Sequence, residues 1–463
     1  MVIKAQSSPV RLLANGNFRR LWLARGLTNV GDTFYIIAVM WLIKEAGTPM
    51  MSGLAGTLLN IPPMLSLFIG VVVERHEPRR VIIWALAANL IVVVLVSAGV
   101  LSNVLGLWFV IVSIFLSAFI AQFVYPASHK LVTRLIEPEM LVNANSLQAF
   151  VNQTTEILAN AAGGILVAGI GSALLIAVDV PIFAVAIFLL LGMRMIPQSV
   201  DAVPEDSPQS VDTVSEDNPG SVDAIPEDSP QSADAVLEVN PGQTGSEGIG
   251  KLKRFWIDFC EGVSFLFHDR VLMTFVIVAA ASNLSWGSFS VMLPWWISGA
   301  GGTAAHYGLF NSAMAAGAVL GSLLAPFLLA RKPAGHVFTA CLVLDLVCFS
   351  IFPMAGLAGG GILIFAFGLM HPAVNIVVIS GLQYRTPDRL QARVSSAFMG
   401  FGCIFMPVGS LLAGLFSGLI APSFVLLSMG LFALIAVLPF ALNQRVLSLD
   451  LPKVQPGGEQ KKG

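Results

Sequence analysis

Apolar runs of about 20 residues alternate with short polar segments along most of the chain. A helix of about 20 apolar residues crosses the roughly 30 Å hydrocarbon layer of a bilayer, so each run is a candidate membrane span. The pattern predicts twelve spans, six before a long acidic stretch and six after it. They cover Leu21–Ile43, Met51–Val73, Val81–Leu101, Leu105–Tyr125, Val142–Gly169, Ser172–Met193, Val271–Ile297, Tyr307–Ala330, His336–Ala355, Gly360–Gly381, Ser395–Gly418 and Pro422–Leu442.

The composition agrees with a membrane protein. The chain has 463 residues, of which 56% are hydrophobic and 11% are charged. A soluble domain carries about 25% charged residues, so a solvated surface is not expected over most of this chain. The first apolar run is too long for the core of a signal peptide and has no small-residue cleavage site. We interpret this run as an uncleaved first span.

The Lys and Arg residues lie almost entirely on one side of the predicted spans. If the N-terminus is inside, the loops on the opposite side hold only Lys44. Loops on the cytoplasmic side of a membrane carry an excess of Lys and Arg. We therefore expect a multi-pass membrane protein with both termini in the cytoplasm.

An acidic stretch separates the two sets of spans. Four eleven-residue units repeat from Ser199 to Gly242, beginning with SVDAVPEDSPQ. A proline at or near the end of every unit excludes a continuous helix. Low hydrophobicity with many acidic, Pro and Ser residues is typical of disorder, either as a tether or as a partner-binding segment. The predicted domains are an N-terminal half (1–197), a disordered cytoplasmic linker (198–250), a C-terminal half (251–446) and a tail (447–463).

The two halves are similar to each other in sequence. The segment Glu137–Ser146 before the fifth span parallels Thr386–Ser395 before the eleventh, with Pro, an acid and Leu at matching offsets. The segment ERHEPRR after the second span has a weaker counterpart, ARKPAG, after the eighth. Parallel six-helix repeats of this kind are characteristic of one transporter architecture.

The loop after the second span resembles the signature G-x-x-x-D-R-x-x-R-R of the major facilitator superfamily. Gly70, Glu74, Arg75, Arg79 and Arg80 fill its positions, with Glu in place of Asp. Several other stretches are similar to the branch that contains macrolide-efflux proteins and enterobactin-type siderophore exporters. These stretches are Asn17–Tyr35, Tyr125–Leu147, the segment around Asp179 and Arg385–Gly414. The resemblance covers essentially the whole chain except the acidic linker.

The resemblance implies an all-α integral membrane protein with the major facilitator fold, in which twelve transmembrane helices form two pseudo-symmetric six-helix halves. It also implies that the loop signature latches the cytoplasmic gate. Gly70 would let the second helix lie close to the eleventh, and Glu74 would pair with Arg75 or Arg393. The alternative is anchoring at the membrane surface, which explains the arginines but not Gly70 or Glu74.

Ionisable side chains inside a membrane are costly, so each one is a candidate functional residue. Arg25, Asn29 and Asp32 are spaced four and three residues apart in the first span and therefore share one helical face. Asp32 lies near mid-depth, where it would either take up and release a proton or form a static brace with Arg25.

The fifth span carries a polar stripe at steps of three, four, four and four residues. Such a face must be buried against protein or water, and we expect it to line a central cavity, with Glu156 as its only charged member near mid-depth. Asn160 replaces the proline that many antiporters of the superfamily carry in the pattern G-P-x-x-G-G, so no proline bend is expected. The stripe consists of Asn145, Gln148, Asn152, Glu156 and Asn160.

Four further residues are candidates in the C-terminal half. His371 and Asn375, one turn apart in the tenth span, would bind substrate, titrate or simply pack. Asn283 and Trp286 in the seventh span would form part of an aromatic wall, or Trp286 would be an interfacial anchor. In the N-terminal half, Asp179 would be either a rim contact or a transport residue.

Soluble-enzyme chemistry has no support in the sequence. No phosphate-binding loop of the G-x-x-x-x-G-K form, no Cys/His metal spacing and no nucleophile motif is present. We expect no enzyme activity, no cofactor, no metal and no nucleic acid. The expected partners are a small-molecule substrate, protons and the lipid bilayer, and the expected state is a monomer.

The polar stripes predict a secondary transporter that exports an amphipathic small molecule, driven by protons and working by alternating access. The candidate cargo is a drug, a macrolide-like compound or a siderophore. Two alternatives stay open on the sequence alone. One is a lipid or lysolipid flippase, or an importer, of the same fold, and the other is a membrane sensor or scaffold that does not transport.

Overall fold

The structure is a computed structural model that describes residues 9–65, 69, 72–73, 76–102, 104, 106–137, 140–193, 260–428 and 447. Within these residues the chain folds into helices joined by short connections, with no strand. The membrane helices are α1 Gly16–Ala46, α2 Pro49–Asn60, α3 Pro78–Leu101, α4 Leu107–Leu135, α5 Leu141–Ile170, α6 Ser172–Leu191, α7 Arg270–Gly299, α8 Ala304–Arg331, α9 Ala334–Ile351, α10 Gly356–Arg385 and α11 Gln391–Phe416.

The helices match the predicted spans closely. In the described residues, nine helices are long and apolar enough to cross a membrane: α1, α3, α4 and α6–α11. Helix α5, at 30 residues, is as long as these nine helices, but its polar stripe makes it less apolar than they are. The predicted second span is described through α2 and the short 3₁₀ helix Pro62–Leu65, and the twelfth through helical residues 422–428. An all-helical membrane fold is therefore confirmed.

Local sequence signals set the ends of the helices. The side chain of Asn15 accepts hydrogen bonds from the backbone N–H groups of Asn17 and Phe18 and so caps α1. Thr48 caps α2, whose first residue is proline. Gly171 alone joins α5 to α6 with a φ of 85°, a conformation that residues with a Cβ rarely adopt.

Each half has its own packing. In the N-terminal half, α1 packs against α5 and α6, and α3 packs against α4 and α6. In the C-terminal half, α8 and α9 pack against α10, and α7 packs against α11. Buried side chains such as Phe275 and Phe338 form the core of the C-terminal half. By contacts, residues 1–193 and 257–463 form one unit, and residues 194–256 form a second unit that lies outside the described residues.

Among the described residues, the two halves meet mainly through two helix pairs, α2 with α11 and α5 with α8. Helix α2 packs against α11 and α7, and α5 packs against α8. Under the six-plus-six sequence repeat, the second span corresponds to the eighth and the fifth to the eleventh, so the two pairs are equivalent. Both contacts lie at one end of the bundle, where α1 ends at Ala46 and α2 begins at Pro49. We call this the distal end, and the end where α1 begins at Gly16 the terminal end.

Candidate functional site

A polar cavity of about 330 Å³ lies between the halves, where α1, α5 and α8 approach each other. It contains two carboxyl groups, three side-chain amides, a threonine hydroxyl and a tyrosine hydroxyl against an apolar wall. This volume falls within the range of small-molecule sites, which is roughly 300–1,000 Å³. The lining residues are Asn29, Asp32, Thr33, Ile36, Ile37, Glu156, Asn160, Tyr307 and Asn311.

Asp32 faces two pockets at once. Besides the central cavity, it lines a pocket of about 30 Å³ inside the N-terminal half, together with Arg25 and Asn89. Asn89 donates a hydrogen bond to Oδ1 of Asp32 at 3.5 Å, and Ser117 donates to Oδ1 of Asn89. Arg25 interacts electrostatically with Asp32, and its Nε has no hydrogen-bond partner among the described residues. The helical face predicted for Arg25, Asn29 and Asp32 is therefore shared between these pockets.

The polar stripe of α5 divides into two parts. Glu156 and Asn160 line the central cavity, and the side chain of Asn160 donates to the backbone carbonyl of Glu156 at 2.8 Å. Gln148 donates to the side chain of Asn152 at 3.4 Å, and the backbone carbonyl of Asn152 accepts from Asn29 of α1 at 2.9 Å. Asn145, Gln148 and Asn152 do not line this cavity. Only the distal part of the stripe therefore lines the site.

Tyr307 and Asn311 provide the wall of the cavity from the C-terminal half. Their spacing of four residues places both on one face of α8, and Asn311 donates to the backbone carbonyl of Tyr307 at 3.0 Å. The ring of Tyr307 stacks on Trp41 of α1, with ring centroids 6.2 Å apart. The sequence analysis missed both residues, although two polar residues four apart in an apolar span were a usable signal.

Two of the C-terminal candidates, Trp286 and His371, lie in an aromatic row rather than in the cavity wall. Trp286 of α7 stacks on Phe367 of α10 with centroids 5.6 Å apart and nearly parallel planes, and the ring of His371 lies 5.7 Å from Phe367. The side-chain amide of Asn283 donates to a backbone carbonyl of its own helix, that of Ala279. Asn283, Trp286, His371 and Asn375 do not line the 330 Å³ cavity.

Only part of the loop signature lies in the described residues. Gly70, Glu74 and Arg75 fall outside them. Arg79 donates to the carbonyls of Leu190 and Leu191 at 3.0 and 2.8 Å, and so holds the end of α6. Arg80 pairs with Glu77 at 2.6 Å, and Arg393 pairs with Glu261 within the C-terminal half.

A third ion pair fixes the terminal end of α7. Asp269 caps this helix by accepting hydrogen bonds from the N–H groups of Val271 and Leu272, and Nη2 of Arg385 lies 2.7 Å from its Oδ2. Burial alone would raise the pKa of Asp269, but the hydrogen bonds from Arg385 and from these two N–H groups outweigh it. The pKa of Asp269 is lowered as a result.

The distal end is closed by direct contact between the halves. Gly53 of α2 faces Gly414 of α11, where a Cβ on Gly53 would lie 2.6 Å from the Cα of Gly414. Gly164 of α5 faces Gly308 of α8 in the same way. Hydrogen bonds bridge the same two surfaces, from Trp295 to Ser52, from Thr57 to the carbonyl of Pro407 and from Ser312 to the carbonyl of Ile157. Small residues permit this close approach of backbones.

Comparisons with known proteins agree with this architecture. The family model for the Major Facilitator Superfamily matches residues 21–409. A search of curated proteins gives no match. In the described residues, no group of three or more His, Cys, Asp or Glu side chains is arranged to hold a metal ion.

Several solved transporters share the fold. A bacterial homologue of the human lysosomal transporter Spinster, in an inward-facing and unoccupied conformation, has a TM-score of 0.64 at 14% identity and covers 95% of this chain and 98% of its own. The nucleoside transporter NupG has a TM-score of 0.60 at 14% identity over 92% of this chain and 97% of its own. A bacterial homologue of the iron transporter ferroportin has a TM-score of 0.60 at 17% identity over 92% and 99%. With the family model matching most of its length, the chain belongs to the major facilitator superfamily.

Proposed function

We propose that the protein is a proton-coupled secondary transporter that exports an amphipathic small molecule across a bacterial cell membrane. The observation that carries the proposal is the placement of Asp32 and Glu156, from two different helices, in one cavity between the halves. Carboxyl groups at membrane depth are costly, and a cavity that can open to water lets them exchange protons. Membership of the superfamily supports membrane transport as the general activity.

The cavity supports a cargo with both apolar and polar parts. Ile36 and Ile37 offer an apolar surface, and the amides of Asn29 and Asn311 offer donors and acceptors. An amphipathic drug, a macrolide-like compound or a siderophore fragment would satisfy both kinds of surface. The carboxyl groups favour a cargo that presents hydrogen-bond donors or positive charge.

Alternating access would follow from the two distal contacts. The closed distal end and the cavity next to it represent one conformation of the cycle, in which cargo enters from the terminal end. Separation of the halves at these contacts would expose the cavity to the opposite side. In that second conformation, we propose that Gly70, Glu74, Arg75 and Arg393 form the closed gate at the terminal end, held by the loop signature.

The test is uptake into everted membrane vesicles under an imposed pH gradient, with a macrolide, a catecholate siderophore and an amphipathic cation as probes. We expect Asp32→Asn and Glu156→Gln each to reduce proton-driven uptake at least tenfold. Asp345→Asn is the matched control, because Asp345 is a buried carboxyl of α9 that does not line the cavity. Proton-driven uptake that survives both cavity substitutions would contradict the proposal.

A further inference from the structure

A third carboxyl group, besides Asp32 and Glu156, lies inside the N-terminal half and outside the central cavity. Asp179, on α6, is 0% exposed, and neither of its carboxyl oxygens has a hydrogen-bond partner among the described residues. From the sequence, Asp179 was predicted to be either a rim contact or a transport residue. An ionised carboxylate in such a place would be costly, because no hydrogen bond from the described residues offsets its loss of hydration.

Helices α1 and α6, which carry Asp32 and Asp179, pack against each other. The helices pack tightly, because a Cβ on Gly31 would lie only 3.0 Å from the ring of Phe183, one turn beyond Asp179. Asp179 interacts electrostatically with Asp32 and with the hydroxyl of Tyr35. This hydroxyl lies 2.6 Å from Oγ of Ser113 on α4. The carboxyl groups of Asp32 and Asp179 therefore both face the interior of the N-terminal half.

Within the part of the chain that the structure describes, the neighbouring helices supply one nearby positive charge, that of Arg25. On α1, Asp32, Tyr35 and Arg25 face this interior. The ionisable residues of α3 are confined to its terminal end, where Arg79 binds the end of α6. The ionisable residue of α5 is Glu156, which faces the central cavity. Helix α4 has its ionisable residues near the terminal end, at Tyr125, His129, Lys130 and Arg134.

Charge balance follows from this arrangement. If both Asp32 and Asp179 were ionised beside the single guanidinium of Arg25, the buried cluster would carry a net negative charge. If both were protonated, the cluster would carry a net positive charge. The neutral cluster has one proton for the two carboxyl groups, and like charges at close range disfavour double ionisation. Because Asp32 accepts a hydrogen bond from Asn89 and faces Arg25, Asp32 is the better site for the negative charge and Asp179 the better site for the proton.

We propose that Asp179 and Asp32 are a coupled pair that shares one proton, balanced by Arg25, so that Asp179 releases its proton when Asp32 becomes protonated. In this exchange the proton that leaves Asp179 is the one that Asp32 gains: the O–H bond on Asp179 breaks, the O–H bond on Asp32 forms, and one carboxylate stays ionised. The inference rests on the proposed proton coupling and adds a third proton-binding group, Asp179, to Asp32 and Glu156. Asp179 thereby extends the proton path from the cavity into the N-terminal half.

Infrared spectroscopy of the full-length protein in liposomes, with ¹³C-labelled aspartate, tests the pair without any cargo. At neutral pH we expect a protonated-carboxyl signal that is lost in Asp179→Asn and retained in Asp345→Asn. In Asp32→Asn the Asp179 signal should shrink several-fold at the same pH, because Arg25 is left without its usual counter-charge and Asp179 becomes the group that ionises. This second variant keeps Asp179 itself, so the test does not depend on Asp179→Asn folding.

Two results would contradict the proposal that Asp179 and Asp32 are a coupled pair. An Asp179 signal of the same size in wild type and in Asp32→Asn would make Asp179 a permanently neutral packing residue. Absence of any signal that Asp179→Asn removes would show that Asp179 holds no proton. Failure of proton-driven uptake in vesicles, with the infrared coupling intact, would instead contradict the proposed function and leave the pair standing.

Discussion

The crossing of α5 and α8 at Gly164 and Gly308 allows a quantitative test of the distal closure. A Cβ on Gly164 would lie 2.7 Å from the Cα of Gly308, whereas carbon atoms in good contact lie about 3.5–4.0 Å apart. The obstacle is backbone, which cannot rotate away as a side chain can. Gly164→Ala therefore forces the two helices apart by about 1 Å. Overpacking of this size costs about 1–3 kcal/mol.

This cost applies only to the conformation in which the helices cross. If the distal end opens during the cycle, Gly164→Ala shifts the population toward the open conformation by about 5- to 150-fold. Spin labels on Leu174 of α6 and Met354 after α9, both exposed at the distal end of their halves, report the separation by pulsed dipolar spectroscopy. The expected result is a new population at longer distance.

Gly169→Ala is the matched control, because it adds the same methyl group to the same helix where no heavy atom lies within 4 Å. We expect its distance distribution to equal that of the labelled parent. If Gly164→Ala gives the same distribution as Gly169→Ala while both proteins fold, the crossing does not close the distal end. The assignment of the structure to one side of an access cycle would then be wrong.

Two further predictions concern the terminal end. Because the pKa of Asp269 is lowered in the fold, its contribution to stability is full above its unfolded pKa and is lost as the pH falls through the lowered value. Asp269→Asn should remove this part of the acid dependence of thermal unfolding in detergent, and an unchanged pH dependence would contradict the role of Arg385. Gly70→Leu should abolish transport while insertion and expression stay normal. Normal transport would instead reduce the loop signature to a membrane anchor.

Hydropathy predicted the fold well because the bilayer imposes one length and one polarity on every span. The predicted spans differ from the observed helices mainly at their ends. The stripe on α5 was recognisable because its polar residues recur at helical spacing. The sequence does not predict which face of a helix lines the cavity, because that depends on packing between helices. Sequence spacing alone did not separate Tyr307, which lines the cavity, from Trp286, which stacks on other aromatic rings.

The burial of Asp179 shows the same limit. A single acidic residue in an apolar span has no periodic partner, so sequence spacing gives no information about its surroundings. Its position became informative only when the packing of α1 on α6 placed it near Asp32. Asn89 is a similar case, because its amide meets Asp32 from a helix that carries no polar stripe.

The one-residue connection at Gly171 restricts how the N-terminal half can move. Because a single residue in a fixed backbone conformation joins them, the distal ends of α5 and α6 cannot move apart. A displacement of α5 away from α8 must therefore also displace the start of α6. Helix α6 in turn packs closely against α1, where Phe183 lies over Gly31. Bending of α5 by itself is thus disfavoured. Opening at the distal end would therefore tilt α1, α5 and α6 together as one rigid unit.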